Sequence, residues 1–325
     1  MSRAGEKKFL GMDQTDLNLF TRRYGITFVM LIMVVGLAIA SPTFRTTGNV
    51  LSILLQVSIN GILAMGMVFV ITAGGIDLSI GSMLALTSTI VGVILNLTGN
   101  IVLACTVSIL ATTFLGFLNG VLVAKFNLFP FVVTLATQLV IRGIAYLVSG
   151  GYSLSLSSGP FMQIGTGRLF GIIPYPVLVL LAVVLTAYVI LHNTKLGRYV
   201  YAVGGNINAA TASGVNVPWT QIRTFMISGI CCGIAGIIMT SRINAAQPNI
   251  GVGYETDAIA ACVIGGTSFS GGVATIPGTL VGIIIIGLIY NGMNLIGISS
   301  YWQTITKGLL IIGAVMVDMF MNKRR

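Results

Sequence analysis

Apolar runs of about 20 residues recur along almost the whole chain, and they limit its possible folds more than any other feature. The hydrocarbon core of a bilayer is about 30 Å thick, and a helix needs about 20 apolar residues to cross it. Only 7% of the residues are charged, whereas soluble domains contain about 25%. The sequence therefore predicts an all-α polytopic membrane protein with about ten transmembrane helices. The expected spans are residues 24–41, 50–73, 78–97, 101–124, 129–149, 175–193, 219–243, 256–271, 276–296 and 301–320.

Basic residues indicate the orientation of the chain. The net charge is +10, and the basic residues cluster at the ends of spans that the positive-inside rule then assigns to the cytoplasm. We expect a cytoplasmic N-terminal segment at 1–23, a transmembrane domain at 24–321 with a cytoplasmic loop at 194–218, and a basic cytoplasmic tail at 322–325. The eighth span is short, and if it were re-entrant, nine crossings would leave the tail outside. The sequence contains no stripe of basic residues interleaved with aromatic ones, which would indicate nucleic-acid binding.

Motifs for catalysis are absent from the sequence. It has no G-x-x-x-x-G-K-[ST] motif, which cradles the phosphates of ATP, and its single histidine, His192, excludes a Ser-His-Asp triad. The four cysteines fall within predicted spans without CxxC spacing, so we expect neither a metal site nor a disulfide. We therefore predict a protein that is not an enzyme and binds no cofactor itself, which leaves transport as its role.

Neutral polar residues within the predicted spans indicate what the chain could transport. Amides and hydroxyls recur there, with Asn60 and Asn119 among them. Such donors and acceptors suit a neutral, hydroxyl-rich solute better than an ion. The alternative is ordinary hydrogen bonding between helices, worth about 0.6 kcal/mol for each bond. We assign both asparagines to a candidate translocation path and leave that alternative open.

Charged residues near the spans are rare, because charge within a bilayer is costly. Asp77 lies with Ser79 at the break between the second and third spans, where a carboxylate would meet the N–H groups of a helix N-terminus. It either caps that helix only or also takes part in a gate. Glu255 and Asp257 flank the start of the eighth span, where they either cap the helix or receive a basic partner from outside. Arg142 is expected to extend to the outer interface.

A short helix is predicted within the cytoplasmic loop at 194–218. Asn206 is a favourable N-cap, Ile207 to Ser213 can form two turns, and Gly214 is a favourable stop after them. Such a short helix is marginal alone in water, so it must pack against something. Because its alanines have small side chains, the helix is thin enough to enter a groove on a partner protein. It either receives force from a soluble motor or is an ordinary structured loop.

Three stretches resemble the signatures of permease subunits from bacterial ABC-type sugar importers, the ribose-type branch especially. They are GMVFVITAGGIDLSIGSMLAL, LGRYVYAVGGN…AA…SGVNV and GYETDAIAACVIGGTSFSGG, in the same order as in that family. The resemblance covers about residues 45–320. Within these stretches, GGIDLSIG and GGTSFSGG match at four of eight positions. The match indicates either an internal repeat, as is common in transporters, or only glycine-lined contacts between helices.

The resemblance implies a ten-span permease that works as a pair around a central path. It implies a cytoplasmic ABC ATPase, which binds the ATP and whose groove takes the loop helix, and an extracytoplasmic sugar-binding protein that delivers the substrate. By position, the residues that couple the permease to the ATPase are Gly204, Gly205, Asn206, Ala209, Ala210, Ser213 and Gly214. With the two span asparagines, the candidate translocation path or gate comprises Asn60, Asp77, Ser79, Asn119, Glu255 and Asp257.

We therefore predict an inner-membrane permease that imports a monosaccharide, ribose or a related pentose, by alternating access. It is expected to form a homodimer within the membrane lipid, with ATP hydrolysis in the partner subunit. The same architecture could import a hexose, a nucleoside or a signalling furanose, which competing sugars in a transport assay would reveal. A transporter without a motor is a further alternative, and it predicts activity without ATP.

Overall fold

The computed structural model describes residues 14–156 and 159–322, which fold mainly into α-helices. Residues 1–13 and most of the basic tail lie outside the described residues, so their cytoplasmic placement stays a prediction. The helices are α1 (Gln14–Ala40), α2 (Thr47–Thr72), α3 (Ile80–Thr98), α4 (Ile101–Phe126), α5 (Pro130–Ser149), α6 (Gly159–Thr166), α7 (Tyr175–Asn193), α8 (Lys195–Gly205), α9 (Ile207–Ala212), α10 (Val217–Ile243), α11 (Tyr254–Ile264), α12 (Ile276–Leu295) and α13 (Ser300–Asn322). A 3₁₀ turn (Pro42–Arg45) joins α1 to α2.

In the part of the chain that the structure describes, four strands of two residues each form two antiparallel pairs. β1 (Leu154–Ser155) pairs with β4 (Ala245–Ala246), and β2 (Arg168–Leu169) pairs with β3 (Ile173–Pro174). The first pair links two connections that are far apart in the sequence. The second pair is a hairpin that directly precedes α7.

Seven helices among the described residues are long and apolar enough to cross a membrane: α2, α3, α4, α5, α7, α10 and α12. In α1, the shorter stretch Gly25–Ala40 is also apolar. The prediction of an all-α polytopic membrane protein is therefore confirmed. The count of ten crossings and the orientation of the termini stay predictions.

The eighth predicted span differs from the expected continuous helix at 256–271. Its helix, α11, has 11 residues, so it is only about 16 Å long and cannot cross a bilayer by itself. It ends early because Gly266 adopts a φ of +87°, which is favourable only for glycine. Thr267 N–H then donates to the carbonyl of Cys262 at 2.9 Å, closing the end of the helix.

An irregular segment precedes α11 and lies along α3. Ala246 packs against Gly92, whereas Gly251 packs against Gly81. Gly81 and Gly92 are eleven positions apart on α3, so this segment runs about 16 Å along that helix. After α11, the N–H of Gly272 donates to the carbonyl of Thr72, at the last residue of α2, at 2.9 Å. Residues 246–272 thus run from near the C-terminal end of α3, past its N-terminal end, to the C-terminal end of α2.

Glycines allow α4 and α10 to pack closely against each other. The chain of α10 passes Gly120 so closely that an added Cβ there would lie 2.6 Å from the Cα of Ile222. Gly116 is pressed against Phe225 in the same way, and Gly229 of α10 is pressed against Thr112. Small residues that let two backbones approach are the usual basis of helix association in membranes.

Burial separates central helices from peripheral ones. In the most apolar 18-residue window of α2, 83% of the residues are buried, against 22% for α4, α5 and α7. The exposed side chains of these three helices are largely apolar, such as Phe114, Leu139 and Leu185. They therefore face lipid, while α2, apart from its first turns, is surrounded by protein.

Candidate functional site

The loop between α7 and α10 contains two helices where the sequence predicted one. The additional helix, α8, turns one side of small and apolar residues towards the protein: Gly197, Val200 and Val203 are all buried. The predicted short helix is present as α9, one residue shorter than expected. Its N-cap is the predicted one, because the Oδ1 of Asn206 accepts the N–H of Ala209 at 2.9 Å. Gly214 follows the helix with a φ of +79°, in the left-handed conformation typical of helix ends.

The exposed face of α9 includes most of the predicted coupling residues. Gly205, Asn206, Ala209, Ser213 and Gly214 are exposed. The exceptions are Gly204, which is half-buried, and Ala210, which is only 3% exposed and faces the protein. A docking partner would therefore contact the helix beside this alanine, whereas Ala210 itself holds α9 against its own chain.

Gly204 anchors the loop to the membrane domain. It belongs to α8, and a Cβ at this position would collide with the carbonyl of Thr72 and lie 2.5 Å from the N of Gly272. Gly271 is equally close, since its added Cβ would lie 3.1 Å from the Cα of Gly74. The three sequence signatures therefore meet at one point, which we call the glycine junction: Gly74, Gly204, Gly271 and Gly272.

Asp77 is the centre of a buried polar cluster, which we call the Asp77 cluster. Its Oδ1 accepts the backbone N–H of Ser79 at 3.0 Å and the hydroxyl of the same serine at 2.5 Å. Its Oδ2 accepts the hydroxyl of Ser228, on α10, at 2.8 Å. Asn119, on α4, completes the cluster by donating to Oγ of Ser79 at 3.0 Å. All four side chains are at most 1% exposed.

The Asp77 cluster lies inside the bundle rather than at its surface. Ser228 is eleven residues from the start of α10, which corresponds to about 16 Å along the helix. The backbone between α2 and α3 is therefore irregular at membrane depth, which is tolerated only where protein covers it or it lines a cavity. Protein covers it here, because the hydroxyl of Thr134 donates to the carbonyl of Ile76 at 3.1 Å. Both interpretations of Asp77 therefore stand. It lies just before the N-terminus of α3, as a capping residue would, and it also links that helix to α10, as a gate residue would.

Asp257 forms a second polar group, which we call the Asp257 cluster. Its Oδ1 lies 2.8 Å from the Nζ of Lys307, on α13, and accepts the hydroxyl of Tyr290, on α12, at 2.9 Å. Lys307 also donates to the carbonyl of Gly253 at 3.1 Å. Asp257 therefore has a basic partner from its own chain. The sequence predicted a basic partner only from outside the chain, so the contribution of Lys307 was missed.

Glu255 is buried beside this cluster but bonds differently. Its Oε1 accepts the N–H of Gly253 at 3.2 Å, so it acts locally at the start of α11. Its Oε2 is buried and has no hydrogen-bond partner within the part of the chain that the structure describes. That oxygen points at the backbone of Gly81, where an added Cβ would lie 2.5 Å away. Any side chain at position 81 would therefore displace the carboxylate.

Arg142 does not extend to the interface, so that prediction is wrong. Its guanidinium donates to the carbonyls of Pro248 and Ile250, at 2.8 and 2.7 Å. These carbonyls belong to the irregular segment before α11, and they have no helical partners. Satisfying them within the protein is more favourable for Arg142 than reaching for water.

Asn60 joins neither cluster. It is 4% exposed and lies thirteen residues into α2, about 20 Å along that helix. Its Oδ1 is buried without a hydrogen-bond partner among the described residues. Burying an amide oxygen without a partner is costly, and this makes Asn60 a candidate for contact with a polar solute.

Comparison with known proteins identifies the chain. Residues 49–315 match the family described as the permease component of the branched-chain amino acid transport system. The match covers most of the chain and includes both clusters and the glycine junction. The chain belongs to this permease family. The permease is accordingly a transport component and a multi-pass membrane protein, not an enzyme.

Individual relatives carry more specific names. The permease is 42% identical over 311 residues to the ribose import permease protein of Haemophilus influenzae, covering 94% of this chain and 95% of the relative. It is 38% identical over 324 residues to the D-allose transport system permease protein of Escherichia coli K12, covering 99% and 98%. It is 35% identical over 303 residues to the L-arabinose transport system permease protein of the same strain, covering 93% and 92%. No solved structure matches the chain.

Proposed function

We propose that the permease is the membrane subunit of an ATP-driven importer for a monosaccharide, ribose or a related pentose. The observation that carries this proposal is its 42% identity, over 94% of its length, to a protein named as a ribose import permease. The second candidate substrate is a hexose, because a relative named for D-allose is 38% identical over 99% of the chain. Nucleosides and signalling furanoses remain possible within the same architecture.

The polar residues of the bundle support a neutral substrate. The carboxylate of Asp77 is occupied by serine hydroxyls, and that of Asp257 by Lys307. Asp257 is paired with a cation and Asp77 is fully buried, so neither carboxylate is accessible to an ion or to the amino group of an amino acid. The amide of Asn60, which has an unpartnered oxygen, suits a sugar hydroxyl as its donor.

Coupling to ATP hydrolysis would take place through α9. Its exposed face, Asn206 to Gly214 without Ala210, would enter a groove on a cytoplasmic ABC ATPase that binds the ATP. The glycine junction would transmit the motion, because Gly204 leaves no gap between α8 and the end of α2. Movement of α8 would therefore move α2, which lies at the centre of the bundle, and open the path to one side at a time.

The six candidate path residues would contribute in different ways. Asp77, Ser79 and Asn119 would hold α3, α4 and α10 in one arrangement, so they are candidates for the gate. Glu255 and Asp257 would hold the start of α11 against α3, α12 and α13. Asn60 would line the path itself. An extracytoplasmic sugar-binding protein would deliver the substrate, and a second copy of the permease would complete the path.

Ten crossings are proposed for the chain, with both termini in the cytoplasm of a bacterial inner membrane. Seven are the long apolar helices, and α1 and α13 supply two more. The eighth in sequence order would consist of the irregular segment and α11 together, since residues 246–272 contact both ends of the bundle. Accessibility of single cysteines to an impermeant reagent, placed at residues 5 and 323, would test the orientation.

Uptake into membrane vesicles tests the function. Vesicles that contain the permease, its ATPase and its binding protein should accumulate labelled ribose with ATP but not with a non-hydrolysable analogue. Unlabelled ribose should compete best, D-allose and L-arabinose less, and leucine not at all. Competition by leucine alone would replace the sugar with an amino acid, and ATP-independent uptake would contradict a motor-driven importer. The variant Asp77→Asn should assemble normally but transport differently, whereas unchanged transport would restrict Asp77 to capping.

A further inference from the structure

A groove of about 330 Å³ lies between the first residues of α2 and α7, beside the β2–β3 hairpin. Most of its lining is apolar: Val50, Leu51 and Leu54 from α2, Ile172 and Ile173 from the hairpin, and Val177 from α7. Because α2 and α7 are both long enough to cross a membrane, the groove opens to the bilayer. It is separate from both polar clusters and from α9.

The groove extends from the membrane interface into the hydrocarbon region. Its lining begins at Thr47, the first residue of α2, and reaches Leu54. Seven residues correspond to about 10 Å along the helix. The upper part of the groove is therefore at the depth of lipid headgroups, and its lower part is at the depth of acyl chains.

A cationic side chain lies at the upper part of the groove. Arg168, the first residue of β2, lines it and is exposed. Arg45, two residues before the start of α2, is also exposed. Neither guanidinium makes a hydrogen bond or an ion pair among residues 14–156 and 159–322. Guanidinium groups bind phosphate through paired N–H donors.

The hairpin itself carries apolar side chains that do not pack against the protein. Phe170 is 87% exposed and Ile172 is 73% exposed. Exposed apolar groups of this size beside a membrane span are stable when they enter the bilayer interface. The hairpin therefore lies where a lipid headgroup would meet Arg168.

We propose that this groove binds one anionic phospholipid. One acyl chain fills the apolar part between α2 and α7, and the phosphate lies against Arg168 with Arg45 nearby. The position of the cation decides the class of ligand, because an apolar groove alone would accept any lipid. A soluble ligand does not fit, since the groove opens towards hydrocarbon and is lined mainly by apolar side chains.

Native mass spectrometry of the purified, delipidated permease tests the proposal. The protein is titrated with dioleoyl phosphatidylglycerol or dioleoyl phosphatidylcholine, and the occupancy of the first bound lipid is measured. Arg168→Gln should weaken phosphatidylglycerol binding about fivefold, since one basic residue near a membrane surface contributes about that factor. The binding of phosphatidylcholine should not change. Arg198→Gln, which removes an exposed guanidinium from α8, is the matched control and should bind like the parent.

A second variant tests the groove independently of charge. Val50 is 43% exposed, so Val50→Trp should fold while filling the space for the acyl chain, and it should weaken both lipids. Equal phosphatidylglycerol binding by Arg168→Gln and the parent, or equal losses in Arg168→Gln and Arg198→Gln, would overturn the proposal. If Arg168→Gln kept its lipid but lost association with the sugar-binding protein, that protein would be the occupant instead.

Discussion

The Nζ atom of Lys307 lies 2.8 Å from the Oδ1 atom of Asp257 and adds an ion pair to the packing of α13 against α11. The side chain of Asp257 is 5% exposed and that of Lys307 is 22% exposed. Removing one partner of such a pair leaves a buried charge without compensation. Removing both leaves none, so the single and the double substitution should differ.

Lys307→Met should therefore destabilise the permease. Breaking a buried pair costs roughly 3–5 kcal/mol, and the partial exposure of Lys307 places this one near the lower limit. Thermal unfolding in a mild detergent measures the effect. Lys307→Met with Asp257→Asn should recover most of the loss, because the carboxylate is gone. If the single and double variants were equally stable, an unpaired charge on Asp257 would not be the cause of the lost stability.

Ser228→Ala should weaken the Asp77 cluster. It removes the bond from α10 to the Oδ2 of Asp77, and a hydrogen bond to a charged group contributes about 1.5–3 kcal/mol. We expect a lower unfolding temperature and reduced uptake in vesicles. The control is Ser52→Ala, because the hydroxyl of Ser52 is exposed and bonds only to the carbonyl of Gly48. If the two variants behaved alike, the cluster would not join the helices as described.

Gly204→Ala should disrupt the glycine junction. Its Cβ would collide with the carbonyl of Thr72, and overpacking of this kind costs about 1–3 kcal/mol. The next residue supplies a matched control, since an added Cβ at Gly205 has nothing within 4 Å. Unfolding temperature and ATP-driven uptake should both fall for Gly204→Ala, whereas Gly205→Ala should keep the unfolding temperature of the parent. Similar effects at the two positions would contradict the role of the close contact.

Two alanines of α9 should respond differently to a large charged side chain. Ala212 is exposed, so Ala212→Arg should leave the permease folded but reduce co-eluting ATPase activity at least tenfold (about 1.4 kcal/mol of binding). Ala210 is buried, so Ala210→Arg should lower the yield of folded protein instead. Size-exclusion chromatography separates the two outcomes. A folded Ala210→Arg variant that loses the ATPase would instead place Ala210 on the docking face.

Local features of the fold could be predicted from the sequence because they depend on neighbouring residues. Asn206 and Gly214 predicted α9 through its cap and its stop, and long apolar runs predicted most of the spans. The helix α8 was missed because its buried residues are explained only by packing against other helices; Gly197, for example, lies against the carbonyl of Leu191 in α7. The early end of α11 was missed as well, because Gly265 and Gly266 were included in the span.

Long-range contacts could not be predicted in the same way. Ser228 bonds to a residue 151 positions away, and Lys307 reaches Asp257 from a helix that follows α12. Each of these side chains could instead bond within its own helix. Only the packing of the helices determines which partner it has. The path and coupling roles of the candidate residues remain predictions for the experiments above.

The irregular segment before α11 has a consequence for the biogenesis of the chain. Its backbone groups cannot satisfy one another, and they depend on Ser88 and Arg142 from earlier helices. The segment therefore cannot move from the translocon into lipid on its own, as an independent helix would. It has to remain packed beside α3 and α5. Since Asp257 needs Lys307 from the final helix, membrane integration is complete only after the ribosome has delivered α13. A nascent chain that stops before α13 would leave Asp257 without its basic partner.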